Sequence, residues 1–134
     1  MAQNGKIWEI NGVTLALDLA DADVLERYED AFEAMKKDEA AIPRDGKVSA
    51  QIRGYCNMYR NLYDRIFGEG TAARIFEGQP VSSEVYEGVY TNFLDFVSAQ
   101  MAGVAERRVA LISRYKANRE QKRAAARQGK KKKS

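Results

Sequence analysis

The feature that most constrains this chain is the run Val48–Phe67, in which Ile52, Tyr55, Cys56, Tyr59, Leu62, Tyr63, Ile66 and Phe67 recur at three- and four-residue spacing. That is the period of an α-helix and not the alternation of a strand. A helix patterned in this way carries one apolar face that must be buried against other elements. Gly68 and Gly70 close it.

Two further segments supply such faces. In Asp18–Lys37, Val24, Leu25, Tyr28, Phe32 and Met35 share one side of a helix, with Glu26, Glu29, Asp30 and Glu33 on the other. Asp21 or Asp23 can cap its start, and Pro43 with Asp45-Gly46 makes the loop that follows. After a short helical turn around Arg74-Ile75-Phe76, ended by Gly78 and Pro80, Ser82 or Ser83 can cap a third long helix. Its apolar positions include Val85, Tyr86, Val89, Tyr90, Phe93, Val97, Met101, Val104 and Ala105, and Leu111 and Ile112 are candidates to extend them. Ahead of these helices, Lys6–Leu17 reads as two short strands flanking Asn11-Gly12, a pair that accepts the positive φ angles of a type I′ turn. An isolated hairpin is marginal, so it must lie on the helices or pair with another copy.

The expected fold is therefore mainly α (α+β): a short N-terminal β-hairpin, three principal helices and a basic C-terminal helical extension. With 134 residues, 45% of them hydrophobic, one core is affordable and two are not. The expected limits are a single domain over 1–115 and a basic extension or disordered tail over 116–134. No stretch is long and apolar enough to span a bilayer. The opening residues lack the basic stretch and apolar core of a signal peptide. The single cysteine, Cys56, fits a reducing compartment. These features lead us to expect a cytosolic protein.

The net charge of +3 conceals a split. Residues 1–113 hold twelve Lys/Arg against eighteen Asp/Glu, a net −6, whereas residues 114–134 hold ten against Glu120 alone, a net +9. The basic character belongs to the tail, so it does not mark the body as a nucleic-acid binder. The tail has three readings. It is a cationic helix end that the helix dipole favours, a non-specific nucleic-acid arm working by counterion release, or a contact to an acidic protein, including another copy.

Enzymatic chemistry is poorly provided for. The sequence contains no histidine, the commonest general base and zinc ligand, and its one cysteine cannot build a thiolate metal site. Cys56 lies among apolar neighbours and reads as a small core residue. Asp18, Asp21 and Asp23, or Glu26 with Asp30, read as a solvated acidic helix start, since paired-carboxylate catalysis needs groups facing each other across a cleft. Gly68–Arg74, GEGTAAR, lacks the spacing and lysine of a phosphate loop and reads as a helix end with a tight connection. No catalytic residue, cofactor or metal is expected.

Tyr55, Tyr59 and Tyr63, at i, i+4 and i+8, form one stripe. They are core residues with hydroxyls at the surface, or a partner-binding face, tyrosine offering large contact area with a polar tip. Arg53, Arg60, Asp64 and Arg65 border the stripe and would form its polar rim.

Taken together, the D-L-A-D-A-D start at Asp18–Asp23, the tyrosine-rich middle helix, the connector Phe67-Gly68-Glu69-Gly70-Thr71 with Ile75-Phe76, and the long helix Tyr86–Met101 resemble the tail assembly chaperones of tailed phages of Gram-positive bacteria. The likeness spans about Ile10–Met101, with the connector as its most specific part. It implies a non-catalytic protein of the host cytoplasm, absent from the mature virion. Such a protein binds the helical tape measure protein, helps recruit tail tube subunits and forms homo-oligomers. On that reading Tyr55, Tyr59 and Tyr63 contact the partner, and the hairpin edges are candidates for self-association. The resemblance also implies a longer, frameshifted product, for which the codons of Lys130, Lys131, Lys132 and Lys133 are a candidate slippery run. The competing class is a small nucleic-acid-binding protein that uses this lysine tail.

Overall fold

The computed structural model describes residues 4–133, with side chains described from residue 5 to residue 127. A 3-10 turn, Asn4–Lys6, leads into two antiparallel strands, β1 (Ile7–Ile10) and β2 (Val13–Ala16). Four helices follow: α1 (Ala22–Ala40), α2 (Val48–Phe67), the short α3 (Thr71–Ile75) and α4 (Ser83–Lys133). The expected mainly α architecture with an N-terminal hairpin is the one observed. Two compact units divide the chain, Met1–Gln100 and Met101–Ser134, and α4 contributes to both.

The hairpin owes its register to its turn. Asn11 (φ 49°) and Gly12 (φ 78°) both take the left-handed conformation that a two-residue primed turn requires. Trp8 then faces Leu15 and Ile10 faces Val13. Trp8, Val13 and Leu15 point to one buried side, while Glu9, Thr14 and Ala16 face outward. The turn is also anchored from a distance, because Asn11 Nδ2 donates to the Ile75 carbonyl at the end of α3 (2.9 Å).

Asp21 caps α1, its carboxylate accepting from the backbone N–H groups of Asp23 (2.9 Å) and Val24 (3.3 Å). The helix packs antiparallel-fashion through the loop onto α2, which spans the range its periodicity predicts. Gly54 permits the close approach of that loop, since a Cβ there would lie 3.1 Å from Ile42 Cγ2. Arg27 Nε donates to the Ile66 carbonyl (2.8 Å), and Arg65 pairs with Asp38 (2.7 Å), so polar contacts also join the two helices.

Gly68 (φ 115°) and Gly70 (φ 90°) turn the chain sharply into α3, whose start is held by Asp64 of α2 accepting from the Ala72 N–H (2.8 Å). Ser82 caps α4 through Val85 (3.4 Å). The core lies where the hairpin, α1, α2, α3 and the first part of α4 meet. Trp8 is its centre, with ring centroids of Phe93 at 4.9 Å, Tyr63 at 5.7 Å and Phe67 at 6.0 Å. Its indole N–H donates to Asn92 (2.7 Å), so the ring is buried without a polar penalty. Phe76 and Tyr86 stack flat, 3.8 Å between centroids.

α4 runs well beyond its last buried residues. On α4 the last buried apolar side chain is Val97 and the last buried residue Gln100. From 101 to 127 every side chain is exposed or half-exposed. The backbone of this segment remains helical through Lys133, where the sequence left helix and disorder open. Among the described residues no helix is long and apolar enough to cross a membrane.

Candidate functional site

The three tyrosines of the α2 stripe have three different fates. Val48, Ile52, Tyr55, Tyr59, Leu62 and Ile66 follow one line along the helix, and that line passes from solvent into the core. Val48 is 68% exposed and Tyr55 41% exposed, Tyr59 is half-buried, and Leu62 and Tyr63 are fully buried. The reason lies in the neighbours: Trp8 of the hairpin, Phe93 of α4 and Phe76 close over Tyr63, whereas Tyr55 has the α1–α2 loop beside it.

Of the two places the stripe offers Tyr63, core or partner-binding face, the structure puts it in the core. Its ring packs edge-on to Phe93 and beside Trp8 and Phe76, and its hydroxyl is buried with no hydrogen-bond partner. Burial drives its pKa far above the ordinary tyrosine value, with Tyr90 and Tyr59 adding to the effect. Tyr59 packs against Tyr90 of α4 as a tilted ring pair (4.9 Å between centroids), and burial, with nearby Glu87, raises its pKa too. Tyr55 is the only one of the three that is exposed. It borders a cleft of about 330 Å³ lined also by Glu39, Ile42, Pro43, Arg44 and Gln51.

The expected polar rim is mostly committed to the fold. Arg60 donates to the Tyr86 hydroxyl (3.2 Å), Asp64 holds the start of α3, and Arg65 pairs with Asp38. Arg53 remains exposed. A second cleft, about 410 Å³, lies between the hairpin turn and α4 and is lined by Ile10, Asn11, Gln79, Glu84, Val85, Gly88, Val89 and Asn92. It offers a shallow apolar floor with amide edges.

The residues considered for chemistry have structural places. Asp18 accepts from the Ala20 N–H (3.0 Å) and pairs with Lys6 (3.2 Å), and Asp21 is the α1 cap. Asp23, Glu26 and Asp30 lie on the exposed side of α1 beside Arg27 and Arg65. No group of three potential metal-ligating side chains occurs among the described residues. Cys56 is buried, and burial, with Glu87 nearby, pushes its thiol pKa up, away from nucleophilic thiolate. Gly68–Arg74 forms the α2–α3 turn, with Thr71 buried.

Two features escaped the sequence reading. Gln100 is buried and ties the hairpin exit to α4: its Oε1 accepts from the Leu19 N–H, and its Nε2 donates to the carbonyls of Leu17 (2.8 Å) and Gly5 (3.0 Å). A polar residue on an otherwise apolar helix face was the available signal. The other is the apolar series of the second unit, where Met101, Val109, Leu111, Ile112 and Tyr115 are exposed. The face expected from the sequence groups Met101 with Leu111 and Ile112, whereas Val109 lies on the side opposite Leu111 and neither it nor Tyr115 is in that grouping. The basic-tail residues Lys130, Lys131, Lys132 and Lys133 have side chains outside the described residues.

No curated protein and no solved structure matches the chain. A family match does extend over most of the chain, from the hairpin turn into the basic segment of α4. On that match, covering residues 11–126, the chain belongs to DUF6673, a family of unknown function.

Proposed function

We propose that this chain is a non-catalytic tail assembly chaperone that binds the tape measure protein and assists tail tube assembly. It would act in the host cytoplasm, as a homo-oligomer, and stay out of the mature virion. The observation that carries the reading is where the exposed large apolar side chains lie. Val81 lies in the connection before α4, but the others, Val48 and Tyr55 on α2 and Met101, Val109, Leu111, Ile112 and Tyr115 on α4, project from helices. Exposed apolar helix surface of this kind suits the holding of another helix. The sequence resemblance supplies the identity of that helix. Tyr55, with Tyr59 at its edge, is the proposed partner contact within the first unit.

The test is co-expression with the long helical protein that this reading expects to be encoded beside the gene. The expected result is a soluble complex that co-elutes, with the long protein insoluble when expressed alone. Absence of such a neighbouring gene, or a long protein that stays soluble and unbound, would overturn the reading. Tyr55→Ala is expected to weaken the complex while leaving the fold intact, because the side chain is substantially exposed.

The competing reading is nucleic-acid binding by the basic segment, favoured by eight Lys/Arg against two acidic residues over 101–127. Its signature would be tight, steeply salt-dependent retention of DNA or RNA that disappears on deleting residues 119–134.

A further inference from the structure

The second unit carries an apolar face with a regular spacing. Met101, Val104, Arg108, Leu111 and Tyr115 follow a three-four-three-four repeat, and Ala105 and Ile112 widen the same face. At about 1.5 Å per residue the face is roughly 20 Å long. Leu111 and Tyr115 are each 64% exposed. Arg107 and Arg114 stand seven residues apart along one border, and the Arg119 guanidinium lies over the Tyr115 ring, 5.8 Å from its centroid.

The charge around this face selects what can cover it. Residues 101–127 carry a net +6, eight Lys/Arg against Glu106 and Glu120. Pairing with the same helix of a second copy would bring Arg107, Arg108 and Arg114 against like charges. The acidic side of α1, Asp23, Glu26, Glu29, Asp30 and Glu33, matches the charge but has no apolar residues to fill the face. A lipid surface would have to accept Arg108 in the middle of the buried stripe, and a nucleic acid would leave Leu111 and Ile112 in water. A helix with apolar residues at the complementary spacing and carboxylates along its borders satisfies both requirements. One of those carboxylates would meet Arg108, and a single charged pair within an apolar seam fixes register.

We propose that the Met101–Tyr115 face of α4 is a docking site for an acidic amphipathic helix of a partner protein. This rests on the helix-binding reading above and names the surface and the partner chemistry for it. Arg107 and Arg114 set the charge preference, and Leu111, Ile112 and Tyr115 supply the contact area.

The experiment uses the full chain and two labelled synthetic helical peptides with leucines at three-four spacing, one bordered by glutamates and one by lysines. Fluorescence anisotropy should show binding of the glutamate peptide alone. The double variant Leu111→Asp, Ile112→Asp should weaken it by about tenfold or more, as loss of two central anchors does, with unchanged circular dichroism and melting temperature. Arg107→Glu with Arg114→Glu should shift preference toward the lysine peptide. Binding of both peptides alike, binding unaffected by the double variant, or preferential binding of duplex DNA or of phosphatidylserine vesicles would each overturn the proposal. Co-expression separates the two levels. A tape measure complex that survives the double variant removes this face and leaves the chaperone reading standing. A wild-type chain that binds the glutamate peptide but forms no such complex removes the chaperone reading and keeps the face.

Discussion

Tyr63 and Gln100 illustrate opposite solutions to burying a polar side chain. The Tyr63 hydroxyl is enclosed with no partner, whereas Gln100 uses both ends of its amide on main-chain groups of the N-terminal segment. An unpaired buried polar atom costs about 1–3 kcal/mol, and removing it keeps the ring packing. Tyr63→Phe is therefore expected to leave stability unchanged or raise it by about 1 kcal/mol, read from the urea unfolding midpoint. A clear loss would mean that the hydroxyl is hydrogen-bonded in solution. Gln100→Leu works the other way, stranding the Leu19 N–H and the Leu17 carbonyl, and should cost on the order of 3 kcal/mol. The same denaturation measurement checks it. The sequence leaves Tyr63 open between core and partner face and gives no role to Gln100, because residue type alone does not say which polar atoms find partners.

At the scale of elements, the hairpin depends on two residues more than on its strands. Asn11 and Gly12 both take positive φ, and Asn11 also bonds the end of α3. Asn11→Ala with Gly12→Ala forces two alanines into the left-handed region, at about 1–2 kcal/mol each, and removes that bond. The expected outcome is a loss of a few kcal/mol with a weakened Trp8 environment, visible as a red shift in tryptophan emission. Native-like emission and stability in this variant would show that the helices hold the strands without the turn. The helix limits were legible because capping and period agree: Asp21 and Ser82 begin α1 and α4, and Gly68 ends α2. The fate of the α2 stripe was not legible. The four-residue spacing looks alike at Tyr55 and Tyr63, and only the neighbours differ.

For the whole molecule, the tyrosines couple the fold to alkaline pH. Burial raises the pKa values of Tyr28, Tyr59, Tyr63 and Tyr90, so the folded state keeps these phenols protonated to higher pH than the unfolded chain does. Their contribution is complete below the unfolded value near about pH 10 and is lost as pH rises from there toward the folded values. An alkaline titration should show a late tyrosinate absorbance step that coincides with loss of helical circular dichroism. Smooth titration of every tyrosine ahead of unfolding would contradict the burial. The division at Gln100 gives a second expectation. A chain ending after Arg108 keeps every core residue, so its unfolding should stay cooperative and within about 1 kcal/mol of the full chain. Its net charge becomes −6 in place of +3, which ion-exchange behaviour would show directly.

The sequence by itself determined the elements: the helical period of three segments, the hairpin turn at Asn11-Gly12, the glycine-bounded connector and the split between an acidic body and a basic tail. These are local properties, set by backbone sterics, capping and the spacing of apolar residues. The tertiary structure decided which part of each apolar face is covered. It buried Tyr63 and left Tyr55 outside, gave Gln100 its three partners, ended the core at Val97 and left Met101–Tyr115 exposed. The physical reason is that periodicity specifies the side of a helix that prefers to leave water, while the neighbour that takes it out of water comes from residues distant in the chain.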